Sequence, residues 1–235
     1  MRTHGLRLIF ICTPSWRRKT YEPAGAAAAA VEMAGRYKAP DWPCAPAWAA
    51  KLKPLSVVGA RQVKWLTRIA LSAEESASHW QQKDYRMFSP SVGWGDLIDY
   101  SSAPSIQEYP VQSAICEPAN GSVLPKGTTE VEVKGYAWSG GGRGVVRVDV
   151  SADDGKTWHC SELEQDPQQN MNSMWAWSLF KTTVPIPKDH KGQLTLVCKA
   201  TDASYNSQPE TSVGIWNVRG LLNNSWNKVT LNCSH

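Results

Sequence analysis

The sequence predicts a mainly β protein built around a β-sandwich, and the stretch from Val131 to Trp158 carries most of that prediction. Two runs of valines alternate with charged residues, which is the period-two pattern of strands with one buried face. Asp154-Gly155 supplies the positive φ angles of a tight hairpin turn, and Gly140 to Gly142 allow backbone conformations that a Cβ would forbid. The alternating valines are Val131 and Val133 in the first run, and Val146, Val148 and Val150 in the second.

Composition sets the outer limits of the structure. The chain has 235 residues, enough for one large domain or two small ones, and 42% apolar content with 12 tryptophans predicts a real core. A formal net charge of +4 arises from scattered basic residues, which argues against a nucleic-acid partner. Because no apolar run reaches the roughly 18 residues of a membrane span, we expect no membrane partner.

The six cysteines are far apart in sequence and lack the C-x-x-C spacing of a zinc site. We therefore expect most of them to be buried thiols, with no metal site among them. They are Cys12, Cys44, Cys116, Cys160, Cys198 and Cys233.

Residues 1–56 differ in amino-acid composition from the rest of the chain. A basic triplet and a run from Ala26 to Ala30 are followed by the prolines Pro40, Pro43, Pro46 and Pro54, which break any long element. We expect this segment to be disordered. A mitochondrial presequence and a mis-joined start both fit, since Arg2, Arg7, Arg17 and Arg18 precede the first acidic residue, Glu22.

The remaining chain falls into an irregular part and a regular part. Between residues 57 and 109, a dense apolar segment ending at Leu71 predicts one or two strands, and residues 74–109 predict a long irregular connection. From residue 110 onward, turn signals separate at least seven short strands, as in a β-sandwich of immunoglobulin type. These strands are predicted near 111–116, 130–138, 145–151, 158–163, 175–184 and 193–200, with a last pair around Ile215 and Val229.

Four sequence blocks are distinctive as a set. They are Val57-Val-Gly-Ala-Arg-Gln-Val-Lys-Trp65; Glu74-Glu-Ser-Ala-Ser-His-Trp-Gln-Gln-Lys-Asp-Tyr85 with Phe88-Ser-Pro-Ser91; Gly135-Tyr-Ala-Trp-Ser-Gly-Gly-Gly-Arg143; and Ile215-Trp-Asn-Val-Arg-Gly220. In this order and spacing they resemble the sulfite oxidase family of molybdenum enzymes. The resemblance implies the α+β remnant of a molybdopterin-binding domain at 57–109 and an immunoglobulin-like (E-set) dimerisation domain at 110–235. Residues 1–56 share none of it.

The same resemblance implies functional residues. Gln62, Val63 and Lys64 would contact the molybdopterin cofactor, where the Lys64 ammonium suits an anionic pterin or phosphate. Tyr85 would be the active-site tyrosine, whose hydroxyl can donate to an oxyanion while remaining neutral. Arg219 would reach into the anion pocket, because a planar guanidinium can hold two oxygens of sulfite or sulfate. Without the resemblance, each would be assigned to solvent or packing.

The family also implies a molybdenum-molybdopterin cofactor, oxidation of sulfite to sulfate, and a homodimer. Animal members add a heme-binding module, reduce cytochrome c and lie in the mitochondrial intermembrane space. No block of this chain resembles the family's metal-ligand cysteine segment or its heme module. We therefore expect a fragment that supplies part of the anion pocket and the dimer interface and is not active alone.

Two alternatives remain open from sequence. The chain could act only as a non-catalytic, self-associating β-sandwich, or it could be related to eukaryotic nitrate reductase, which shares the cofactor domain and the sandwich. Ser78-His-Trp-Gln81 and Asp84-Tyr85 favour the sulfite enzyme over the nitrate enzyme.

Overall fold

A computed structural model describes residues 7–11, 58–61, 68–72, 75–165, 170–188, 190 and 192–234. The described residues form two compact units. The first comprises the chain up to Glu108 together with Asn217–Leu221, and the second comprises Tyr109–Trp216 and the residues from Leu222 onward. In the described ranges, no helix has the length and apolar character needed to cross a membrane.

Within its described residues, the first unit has little regular structure. Strands β1 (Arg7–Ile11) and β2 (Arg68–Ser72) pair antiparallel, with Leu8 opposite Leu71. Within the segment expected to be disordered, the structure describes Arg7–Ile11 as a strand, and the disorder of the rest of residues 1–56 stays a prediction. A single helix turn, α1 (His79–Gln82), follows, and 3-10 turns lie at Gly59–Arg61 and Tyr100–Ser102.

The second unit contains two sheets. In chain order its strands are β3 (Gln112–Glu117), β4 (Val123–Leu124), β5 (Glu130–Trp138), β6 (Val145–Ser151), β7 (His159–Cys160), β8 (Glu162–Glu164), β9 (Ser178–Pro185), β10 (Gln193–Asp202) and β11 (Asn227–Cys233). One sheet has the order β3-β5-β9-β8 and the other β4-β11-β10-β6-β7. All pairs are antiparallel except β4 with β11, and the mainly β, immunoglobulin-like prediction is confirmed.

Alternating side chains of the two sheets make the sandwich core. Along β5, Val131 and Val133 are buried while the intervening Glu132 is exposed, as the valine pattern predicts. Gly135 continues this inward row, and a Cβ there would lie 2.5 Å from the Phe180 ring. The glycine therefore makes room for the largest core side chain. The core also includes Val148, Val150, Val184, Leu194, Leu196, Ala200, Val229 and Leu231.

Strand predictions fail where tertiary pairing decides the outcome. The predicted strand at 158–163 is divided at Ser161, whose N–H donates to Val148 O at 2.8 Å, and its two halves join different sheets. The expected strand at Ile215 is a 3-10 turn, Val213–Ile215. The two-residue strand β4 was not predicted, because two residues are too few to show periodicity.

The expectation of mostly buried cysteines is wrong for Cys116 and Cys160, which are exposed. Cys116 follows the inward-facing Ile115 on β3, and Cys160 lies on the short edge strand β7. Cys198 is buried, and burial raises the pKa of its thiol to about 12. The four cysteines of the described ranges are all unpaired thiols.

The glycine-rich corner between β5 and β6 is held by a buried carboxylate. Asp202 accepts hydrogen bonds from Ser139 Oγ at 2.8 Å and from Arg143 Nε at 3.2 Å. Gly141 and Gly142 take φ values of 67° and 74°. Glycine adopts these left-handed conformations readily because it has no Cβ. Arg143 therefore does structural work here, as an ion-pair partner of Asp202.

The turn after β6 is organised by Asp153. Asp154 and Gly155 lie at its apex with φ values of 56° and 92°, as the dipeptide predicts. The Asp153 carboxylate accepts from Thr157 N at 2.8 Å and Lys156 N at 3.0 Å. Burial alone would raise the pKa of Asp153, but these hydrogen bonds, with those from the Thr157 and Ser151 hydroxyls, lower it to about 2.

This carboxylate should make the fold acid-sensitive. A folded-state pKa of about 2, below the ordinary 3.8, means that ionised Asp153 contributes stability above pH 3.8 that is lost as the pH falls toward 2. We expect the urea midpoint to drop more steeply between pH 4 and pH 2 in the wild type than in Asp153→Asn. Parallel pH profiles for the two proteins would contradict this assignment.

Candidate functional site

Tyr85 lies in a strained and tightly held piece of backbone. It lies three residues after the end of α1 and has a φ of 47°, which is uncommon for a bulky side chain. Its N–H donates to Asp84 Oδ1 at 2.7 Å, and its carbonyl accepts from Ile106 N at 2.7 Å. Strain of this kind persists only where the surroundings fix it, and here it coincides with a predicted site residue.

The backbone near Tyr85 is held in place by a buried arginine, Arg86. The Arg86 Nε donates to Gln81 O at 3.1 Å, and its Nη1 donates to Tyr100 O at 3.1 Å and to Ala103 O. Its Nη2 forms an ion pair with Glu75 Oε2 at 3.2 Å. One guanidinium thus joins the end of α1 to the connection that follows it. The sequence reasoning missed Arg86, since arginine is usually exposed.

A second buried arginine, Arg61, lies beside the Tyr85 ring. Its guanidinium carbon is 6.0 Å from the ring centroid, at the outer limit of a cation–π contact. Its Nε donates to Ile106 O at 3.1 Å and its Nη1 donates to Trp80 O at 2.9 Å. The centroids of the Trp80 and Tyr85 rings are 6.4 Å apart. A cation and an indole therefore both lie near the phenol ring.

Arg219 is presented by a compact turn within Asn217–Leu221. The buried Asn217 side chain donates from Nδ2 to Leu221 O at 2.7 Å and accepts from Arg219 N at 3.1 Å. Gly220 takes a φ of 65°, a conformation that glycine adopts without cost. The resulting turn places the Arg219 guanidinium 2.8 Å from Asp84, measured from Nη2 to Oδ1.

Asp84 joins the two predicted catalytic residues. The same oxygen, Oδ1, accepts from the Tyr85 N–H and from the Arg219 guanidinium. The structure therefore brings Tyr85 and Arg219 into one cluster, although they are far apart in sequence. The sequence reasoning used Asp84 only to favour the sulfite enzyme over the nitrate enzyme and missed its link between Tyr85 and Arg219.

This cluster has the chemistry of an oxyanion site. The Arg219 side chain is 37% exposed and Asp84 only 13%, so solvent reaches the cation more easily than its internal partner. A guanidinium carries five N–H donors, and the Asp84 carboxylate takes one from Arg219, so the other N–H groups can serve a ligand. These groups suit a small anion with several oxygens.

The described residues fit an oxyanion better than a metal. Within these ranges, no group of three or more His, Cys, Asp or Glu could hold a metal ion. The predicted cofactor contacts Gln62, Val63 and Lys64 lie outside the described residues.

Comparison with known proteins adds the family. The model of the Mo-co oxidoreductase dimerisation domain matches residues 103–234, more than half of the chain. The mitochondrial sulfite oxidase of Macaca fascicularis is 55% identical over 173 residues, which are 74% of this chain and 31% of that protein. A nitrate reductase [NADH] of Phaseolus vulgaris is 35% identical over 188 residues, 74% of this chain and 20% of that protein.

One solved structure supports the fold. The sulfane dehydrogenase SoxCD from Paracoccus pantotrophus has a TM-score of 0.57 and 22% identity, and the match covers 77% of this chain and 44% of that one. At this identity the likeness concerns the fold alone. The sulfite oxidase resemblance is confirmed, and the chain spans about a third of the length of its sulfite oxidase relative. This chain belongs to the Mo-co oxidoreductase dimerisation domain family.

Proposed function

We propose that this chain is the C-terminal part of a sulfite-oxidising molybdenum enzyme, in which it supplies part of the anion pocket and the homodimer interface. The observation that supports the pocket most directly is the Asp84 carboxylate that joins Arg219 to Tyr85. The 55% identity to a mitochondrial sulfite oxidase supports sulfite as the substrate. When bound, the molybdenum-molybdopterin cofactor would supply the two-electron oxidation of sulfite to sulfate.

The residues of this chain would bind and orient the anion. The Arg219 guanidinium would pair with two sulfite oxygens and raise the local concentration of anions. Asp84 would keep that guanidinium aimed while its charge is only partly neutralised, because the arginine has further donors. The Tyr85 hydroxyl would donate to a third oxygen, and the Arg61 and Arg86 scaffold would hold the phenol in place.

Other parts of the proposal rest on the similarity of this chain to sulfite oxidases. Gln62, Val63 and Lys64 would contact the pterin, and Lys64 would supply its charge. Cytochrome c would be the electron acceptor, and heme would belong to parts of the relatives that this chain does not match. The name of the macaque relative supports a mitochondrial location, and we propose the intermembrane space.

Two alternatives are weaker. The hypothesis of a non-catalytic, self-associating sandwich agrees with the second unit. It does not explain the cluster of Asp84, Tyr85 and Arg219. A nitrate reductase function is disfavoured because identity to the bean enzyme is 35%, against 55% to the macaque sulfite oxidase.

The proposal that this chain supplies only part of the active site can be tested on the purified 235-residue chain. Mass spectrometry for molybdenum and a sulfite-dependent cytochrome c reduction assay should show neither stoichiometric metal nor turnover, because the region of similarity covers only 31% of the macaque sulfite oxidase. Stoichiometric molybdenum with sulfite-dependent turnover would show that the chain assembles a complete site alone, and would overturn the proposal that it supplies only part of one.

A further inference from the structure

The free edge of strand β3 borders a groove within the second unit. The groove has a volume of about 320 Å³ and lies between β3 and the chain that leads into β11. In the described four-stranded sheet β3 is at the edge, which leaves one side of its backbone without a partner strand. The residues that line the groove include Gln112, Ser113 and Ala114 on β3, and Asn224, Trp226 and Asn227 facing them.

Two asparagines close the two ends of this free edge. Asn224 Nδ2 donates to Val111 O at 3.0 Å, and Ile115 N donates to Asn227 Oδ1 at 2.9 Å. Alternate residues of an antiparallel strand direct both backbone groups to the same side, so the N–H and C=O of Ser113, midway between, also point toward the groove. Within the described ranges, no side chain bonds to these two groups of Ser113. They are therefore available to a ligand.

The inner wall of the groove is held in place by a buried carboxamide. Gln208 Oε1 accepts from Ser113 Oγ at 2.6 Å and from Ala200 N at 2.9 Å, and its Nε2 donates to Asn224 O at 2.9 Å. Ser113, Gln208 and Asn224 are all buried. Because these groups are already fixed, a ligand would not have to order them when it binds.

The polar groups of the groove indicate the chemistry of its ligand. The bonds to β3 occupy Asn224 Nδ2 and Asn227 Oδ1, so Asn224 Oδ1 faces a ligand as an acceptor and Asn227 Nδ2 as a donor. Lys228, a cationic residue of the lining, pairs with Asp154 at 2.7 Å. A mixture of donors and acceptors around Ser113 suits a peptide backbone, which carries both, better than an anion, which offers only acceptors.

Aromatic rings supply the apolar part of the lining. Tyr136 lies opposite Ala114 in the sheet, and Trp226 belongs to the chain that leads into β11. The Trp226 Nε1 donates to Gln208 O at 2.9 Å, which fixes the indole. Side chains of an added strand would alternate between its two faces, and those on the outer face would lie beside Ala114 and Tyr136. Apolar side chains would gain most from that position.

We infer that this groove binds a short extended peptide segment of another protein, which pairs its backbone with Ser113 as an added strand. At about 3.3 Å per residue, the edge from Val111 to Ile115 is about 13 Å long, so its closed ends admit about three residues. The inference goes beyond the proposed anion pocket, because the groove shares no residue with the cluster of Asp84, Tyr85 and Arg219.

An NMR titration of the complete, isotope-labelled 235-residue chain with the blocked peptide N-acetyl-Val-Ala-Val-amide tests this inference. We expect the Ser113 amide resonance to shift saturably, with a dissociation constant in the millimolar range, because only a few hydrogen bonds form. The same peptide with an N-methylated alanine lacks the donor for Ser113 O. It should bind about 5-fold more weakly, or worse, since one hydrogen bond is lost.

A pair of variants places the binding in the groove. Gln112→Trp puts an indole into the groove and should abolish the Ser113 shift. Gln193→Trp is the matched control, because it makes the same change at an exposed residue of β10 outside the lining and should leave the shift unchanged. Circular dichroism checks the folding of both variants, and the N-methylated peptide tests the backbone pairing independently of them.

The inference has four contrary outcomes. It is overturned if the Ser113 resonance of the wild type shows no saturable shift, or if the N-methylated peptide binds as well as its parent. Loss of the shift in Gln193→Trp as well as in Gln112→Trp would also overturn it. A Ser113 shift that follows protein concentration without any peptide would identify a second copy of this chain as the occupant, in place of another protein.

Discussion

Replacing Arg219 with Gln should raise the KM for sulfite about 10- to 100-fold, because a hydrogen bond to a charged group contributes about 1.5–3 kcal/mol. Glutamine has one amide donor group and no charge, so it cannot reproduce the planar fork. The measurement needs a complete active site. A suitable protein is a chimera in which the 173-residue region of macaque sulfite oxidase that this chain matches is replaced by the matching part of this chain.

Steady-state kinetics of this chimera should show kcat/KM falling along with the rise in KM. Arg143→Gln is the matched control, since that arginine pairs with Asp202 within the sandwich and should leave the KM unchanged. An Arg219→Gln chimera with wild-type KM and kcat/KM would contradict the role assigned to this guanidinium.

Replacing Asp202 with Ala should lower the free energy of unfolding by about 2–4 kcal/mol, since it leaves buried donors without their acceptor. Asp202 is fully buried and accepts from Ser139, Arg143, Ser204 and Asn206. Burial alone would raise the pKa of this carboxyl, but the hydrogen bonds from Asn206 and Ser139 lower it below its ordinary value. The carboxylate is thus ionised in the fold and satisfies several groups at once.

Urea unfolding followed by far-UV circular dichroism measures this loss. Glu162→Ala is the control, because it removes an exposed carboxylate from the edge strand β8 and should change stability by less than about 0.5 kcal/mol. If Asp202→Ala were no more destabilising than Glu162→Ala, the corner between β5 and β6 would not depend on this carboxylate.

The fold could be predicted wherever burial alternates along one strand. The positions of Val131 and Val133 define β5, because each strand residue faces either the core or solvent in turn. The division at Ser161 could not be predicted this way, since it depends on which sheet supplies the partners of β7 and β8. Cys116 and Cys160 were misjudged for the same reason: cysteine is usually buried, but the sheet decides which side it faces.

The site was predicted only in part. Tyr85 and Arg219 came from the family resemblance, and their joining through Asp84 could not be read from spacing, because the chain between them folds as a separate unit. The two supporting arginines, Arg61 and Arg86, are buried although arginine is usually exposed. Hydrogen bonds to backbone carbonyls, together with the ion pair of Arg86 with Glu75, stabilise them there. The roles of Gln62, Val63 and Lys64 stay predictions.

Sulfite turnover by the unmutated chimera tests the central claim most directly. If this chain supplies a working part of a sulfite-oxidising site, the chimera should contain molybdenum, form a dimer and oxidise sulfite. A chimera that binds molybdenum and dimerises but does not oxidise sulfite would contradict the claim, because assembly would be intact and only the residues supplied by this chain would be at fault.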